Sequence, residues 1–80
     1  MDDYSKLRDL LVTFSRLDGF NIIPFAEYKL RTYKNITTII HPNGMEELYW
    51  NAKPLIQFVE KENLIDELII RLEEYLIGLL

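Results

Sequence analysis

Residues 27 to 50, EYKLRTYKNITTIIHPNGMEELYW, decide the fold. Two polar pairs, Lys34-Asn35 and Asn43-Gly44, divide the run into Glu27 to Tyr33, Ile36 to His41 and Met45 to Trp50. Each piece is short and rich in aromatic and β-branched residues, which fill the surface of a pleated strand well. Asn and Gly tolerate the positive φ that tight hairpin turns require. The stretch therefore reads as a three-stranded antiparallel meander. If both turns are two-residue loops, Leu30 lies opposite Ile39 and Ile39 opposite Leu48, with Thr32, Thr37 and Trp50 in the adjacent row. That register yields one apolar face. The other face carries Lys29, Arg31, Tyr33, Ile36, Thr38, Ile40, Glu47 and Tyr49, with Lys29, Ile40 and Glu47 sharing a row.

Upstream, Tyr4, Leu7, Leu10, Leu11, Phe14 and Leu17 recur at helical spacing, and Asp2 and Asp3 suit the positive end of a helix. Gly19 follows where a left-handed cap would sit, so a helix over about Asp3 to Leu17 is expected. Phe20 to Pro24 reads as a connection, because Pro24 cannot continue a helix and biases Ile23 towards an extended backbone. Downstream, Asn51 suits an N-cap and Pro54 a first helical turn. Leu55, Phe58, Ile65, Ile69, Leu72, Leu76 and Leu79 then recur at spacings of three and four, with Glu62 interrupting the series. Asn63 with Asp66 three residues on resembles a capping arrangement. The segment is therefore either one bent helix or a short helix and a long one, broken near Lys61 to Asn63. The expected fold is a single α+β domain over residues 1–80: N-terminal helix, three-stranded antiparallel β-meander and long or broken C-terminal helix. The helices should pack on the face of Leu30, Ile39, Leu48 and Trp50.

Composition narrows the function. Nearly half of the 80 residues are hydrophobic (49%), enough to form a core, and there is no cysteine for a disulfide or thiolate metal site. The net charge is -4; residues 1 to 34 hold six basic and five acidic groups, whereas 35 to 80 hold three and eight. This difference, +1 against -5, concentrates acid on the C-terminal helix. Sequence-independent nucleic-acid binding needs cations to displace condensed counterions, so a basic protein partner fits better. The opening Met-Asp-Asp-Tyr is acidic where a signal peptide is cationic, and no apolar run reaches membrane-spanning length. A cytoplasmic protein with no membrane contact is expected.

Chemistry has little to work with. His41, the one histidine, falls beside Tyr28 and Glu46 in the register above, and a lone histidine at a strand end before a proline reads as structural. No catalytic residue is assigned. The pairs Glu46-Glu47, Asp66-Glu67 and Glu73-Glu74 read as solvated faces, because adjacent carboxylates on a helix diverge. Gly19, Gly44 and Gly78 stand singly, so no phosphate-cradling loop is present. Neither a cofactor, a metal nor a small-molecule substrate is expected. The stretch Tyr28 to Lys34 interleaves cations with aromatics, and Lys29, Arg31, Tyr33 and Lys34 on an open sheet face form the alternative, a nucleic-acid contact. The order of elements resembles that of double-stranded-RNA-binding domains. Those domains grip phosphates with lysines at the start of the last helix, whereas here Lys53 is followed by Glu60, Glu62, Asp66 and Glu67.

A second apolar strip on the C-terminal segment, Ile56, Val59, Ile70 and Ile77, lies among Asp66, Glu67, Glu73 and Glu74 at about 100° per residue. The helix is longer than the sheet beneath it, so its end should project with Leu76, Ile77, Leu79 and Leu80 partly exposed. The expected interaction residues are Ile56, Val59, Ile70, Ile77, Glu67, Glu74 and Leu80. The functional expectation is a small acidic non-enzymatic module that dimerises or docks on a protein partner through this helix. One specific form is a phage- or mobile-element-type inhibitor or regulator of a host protein.

Overall fold

The computed structural model describes residues 2–79. They form helix α1 (Asp3–Ser15), strands β1 (Asn21–Phe25), β2 (Tyr28–Tyr33), β3 (Ile36–Ile40) and β4 (Glu46–Tyr49), and helices α2 (Ala52–Lys61) and α3 (Ile65–Gly78). The α+β class is as expected, with one strand more. Asp2 caps α1 by accepting the Ser5 N–H at 2.7 Å, and that bond holds its carboxyl below the usual carboxylate range. At the other end, the N–H groups of Arg16 and Leu17 reach back three residues to Thr13 and Phe14, tightening the last turn and ending the regular helix before Leu17.

The additional strand is β1, in the segment expected to be a connection. The strands follow the order β1-β2-β3-β4 in one antiparallel sheet, which leaves β1 on an edge. An edge strand has a side with no ladder partner, so the missing N–H of Pro24 is tolerated there. Ile23 and Phe25 face inward against Leu30 and Tyr28 and are buried. Ala26-Glu27 links the pair, with Ala26 at φ 50 and its N–H donated to Glu67 Oε2 on α3 at 2.7 Å.

The β2–β3 turn is as expected. Lys34 and Asn35 both adopt positive φ, 52 and 68, and Leu30 lies opposite Ile39. The β3–β4 turn differs by one residue. His41 donates its N–H to the Met45 carbonyl and accepts the Gly44 N–H, so the loop is Pro42-Asn43-Gly44 with Gly44 at φ 90. Proline suits the first central position of such a turn, and glycine the left-handed residue that closes a three-residue hairpin. Ile39 consequently pairs with Glu47, and Leu48 with Thr38. Because side chains alternate, this slip turns Leu48 outward and brings Glu47 and Tyr49 inward, reversing the expected faces of β4.

The C-terminal segment is two helices. Asn63 adopts φ 59, its N–H reaches the Glu60 carbonyl, and the Leu64 N–H reaches the Val59 carbonyl. This is a Schellman termination with Asn63 in the left-handed position usually given to glycine. Asn63 therefore ends α2 and does not cap α3, whose N-cap position is Leu64. The break also resets the helical phase: Leu55, Ile56 and Val59 of α2 and Leu68, Ile69 and Leu72 of α3 are buried together with Leu7, Leu11 and Phe14 of α1. All three helices pack on the inner sheet face, against Ile23, Phe25, Tyr28, Leu30 and Ile39. Two positions assigned to the interaction strip, Ile56 and Val59, are thus core residues at 1% and 0% exposure, because the inward arc of α2 is centred between the two expected stripes.

Candidate interaction surface

Among the described residues, no helix covers the outer face of the sheet. Alternation places Ile22, Arg31, Thr38 and Leu48 in its central row and Pro24, Lys29, Ile40 and Glu46 in the next. Tyr33 and Ile36 pair beyond the central row, and the Phe20 ring lies 6.5 Å from that of Tyr33. Phe20, Tyr33 and Leu48 are exposed by 60%, 48% and 54%, and Ile22 is also exposed. Trp50, exposed as well, lies beyond the end of β4. Scattered apolar residues on a surface are ordinary, but a contiguous group this large on one face marks a contact.

The charges on this face are sparse and placed in a particular way. Arg31 reaches Glu46 with both terminal nitrogens, at 2.7 and 3.4 Å, a paired geometry that neutralises the centre. Lys29 and Lys34 lie at opposite ends of β2, about 17 Å apart at 3.3 Å per residue. The Lys34 ammonium sits 5.3 Å from the Tyr33 ring. Lys29, Arg31, Tyr33 and Lys34 are therefore on or beside one face, but they do not converge on one point.

The remaining candidates divide. Ile70 and Ile77 are exposed on α3 one heptad apart, while Leu80 lies outside the described residues. Glu67 accepts the Ala26 N–H and lies 3.9 Å from Arg71, and Glu74 lies 3.7 Å from the same guanidinium, so both carboxylates already have partners. His41 meets Glu47, not Glu46, a direct consequence of the loop slip. Its ring sits edge-on to Tyr28 and Phe58 at 5.3 and 5.5 Å, joining the hairpin to α2. The Tyr28 hydroxyl donates to Glu62 at 2.7 Å, and this bond, with burial and the carboxylate charge, pushes the phenol up to about 12. Burial, with Glu47 nearby, also raises the Tyr49 phenol. These groups tie elements together. Among the described residues, a hollow beside Trp50 and Tyr49 has a volume of about 210 Å³ and is lined also by Leu11, Thr37 and Leu55, and a hollow of about 400 Å³ is lined by Glu27, Lys29, Ile40 and His41.

Phe20, Ile22 and Leu48 were not among the expected contact residues. The short run Asn21-Ile22-Ile23-Pro24-Phe25 carried a strand signal that proline masked, and Pro42-Asn43-Gly44 carried the signal of a three-residue loop. No helix among the described residues is long and apolar enough to cross a membrane. Comparison with protein-family models, with curated proteins and with solved structures finds no match for this chain.

Proposed function

We infer that the chain works by contact with protein and not by catalysis, and that the outer sheet face is its recognition surface. The observation that carries this reading is the exposure of Phe20, Ile22, Tyr33 and Leu48 on one uncovered face. Aromatic residues and arginine are enriched at the centres of protein interfaces, and this face has two aromatics beside a paired arginine. The strip on α3 is a smaller candidate, since only Ile70 and Ile77 of its four isoleucine and valine positions are exposed. A protein of this kind acts by occupying or bridging other proteins, as inhibitors and regulators do. A photoreactive phenylalanine analogue placed at position 22 or 48 in the producing cell should give discrete protein adducts, while the same group at Gln57 on the helical side should not. Equal labelling from both sides, or none from the sheet, would refute the reading.

A second reading, single-stranded nucleic acid, draws on the grouping of Phe20, Tyr33 and Lys34 at one end of the face. Against it stand the aliphatic centre of Ile22 and Leu48 and the engagement of Arg31 by Glu46. Retention of RNA or single-stranded DNA on a filter at low salt and micromolar protein would favour it.

A further inference from the structure

The outer face has the properties of a surface that packs on a copy of itself. We propose that two chains close their outer sheet faces together about a twofold axis, giving a dimer with the sheets inside and the helices outside. The proposal rests on the reading that this face binds protein, and names the partner as a second copy of the chain.

Area is the first argument. Aromatic side chains offer 150–250 Å² each, so at the observed exposures Phe20 and Tyr33, with Ile22 and Leu48, present roughly 400 Å² of apolar surface per copy. Two such faces, with Ile36, Ile40 and the stems of the lysines added, bury about 1,000 Å², the size of a weak, reversible contact. Facing sheets pack about 10 Å apart, close enough to exclude water from the centre.

Charge is the second. A sheet-on-sheet contact fails if it buries an unpaired charge. Here Arg31 and Glu46 enter the interface already hydrogen-bonded to each other at 2.7 Å. Lys29 and Lys34, at the two ends of β2, have stems long enough to hold their ammonium groups at the rim. The acidic residues Glu60, Glu62, Asp66, Glu67, Glu73 and Glu74 belong to the helical layer on the far side, so the mutual repulsion of two chains of charge -4 is kept away from the contact. A twofold contact between identical faces also sets each apolar row against apolar surface, which a polar or strongly charged partner would not do.

Sedimentation velocity on the full chain from about 1 to 200 µM tests the proposal. The expected result is concentration-dependent formation of a species twice 9.6 kDa, half-formed at concentrations on the order of micromolar. Leu48→Lys and Ile22→Lys should each raise the dissociation constant at least 100-fold with unchanged circular dichroism, because a twofold interface contains every substitution twice. Ile70→Lys should leave it unchanged. If a lysine variant fails to fold, Leu48→Ala keeps the test, with an expected rise of about tenfold. A monomeric wild type across the range overturns the dimer; if adducts still form from positions 22 and 48 to a different protein, the contact reading survives it. A dimer dispersed by Ile70→Lys and untouched by Leu48→Lys overturns both.

Discussion

Replacing Ile39 and Leu48 by alanine, one at a time, tests the loop on which the exposed face depends. With a two-residue β3–β4 loop these residues would be cross-strand partners in the core, and their losses would be alike. In the observed register Ile39 is 0% exposed and Leu48 is 54% exposed. Removing a fully buried isoleucine side chain costs about 2–5 kcal/mol, the transfer energy plus the cavity left behind. A fully buried leucine is worth about 1.5–3 kcal/mol, so a half-exposed one that leaves no closed cavity costs about 1 kcal/mol or less. On a chain of 80 residues, whose total stability is about 4–12 kcal/mol, the first change removes a large part of the margin. Each kcal/mol corresponds to about 4–8 °C in Tm, so Leu48→Ala should lower Tm by about 8 °C at most and Ile39→Ala by about 8 °C at least. Urea unfolding followed by far-ultraviolet circular dichroism, at concentrations below any association, gives the two values; unchanged slopes would confirm that stability alone differs. A loss from Leu48→Ala as large as that from Ile39→Ala would refute the three-residue loop and, with it, the apolar outer face.

Two further outcomes are expected. Asn63→Gly at the left-handed end of α2 should stabilise the fold by a few tenths of a kcal/mol, while Asn63→Val should cost about 1–2 kcal/mol, both read as shifts in the urea midpoint. The Tyr28 phenol, held neutral by its bond to Glu62 and raised from 10.0 to about 12, gives a pH dependence of definite sign. A group whose folded pKa is raised contributes stability that is complete below its unfolded value and is lost as pH climbs through its folded value, so the loss falls between pH 10 and 12. In Tyr28→Phe that part of the alkaline decline should disappear; an identical decline in wild type and variant would show that the hydroxyl is not so held.

Local signals account for most of what could be foreseen. Helical spacing from Tyr4 onwards located α1, and Lys34-Asn35 located a turn whose two positive φ values set Leu30 against Ile39. The misses arose where two local rules competed. Pro24 reads as a chain breaker, but on an edge strand it breaks nothing. Asn43-Gly44 reads as a two-residue turn, but Pro42 begins the turn one position earlier and carries Gly44 into the closing left-handed place. Along the C-terminal segment, heptad spacing continued through a point where Asn63 ends a helix, and the reset phase put Ile56 and Val59 inside. The outer face was hidden for the same reason: Phe20 and Ile22 lay in the supposed connection, and Leu48 on the slipped strand.

The slip also explains what the sole histidine is for. Of the two registers open to β4, the one with Leu48 and Trp50 inward would suit hydrophobic burial better, since Glu47 would then face water. The observed register must recover that loss locally. It does so through His41, whose ring receives the Glu47 carboxylate while standing edge-on to Tyr28 and Phe58. Glu47 is thereby partnered at its inward position, and Tyr49 fills the adjacent row beside Thr37. The loop thus sets a register in which Leu48 is left outside, and the His41–Glu47 pair accommodates the carboxylate that the slip turns inward. That pair and the bare sheet face are two consequences of one three-residue loop.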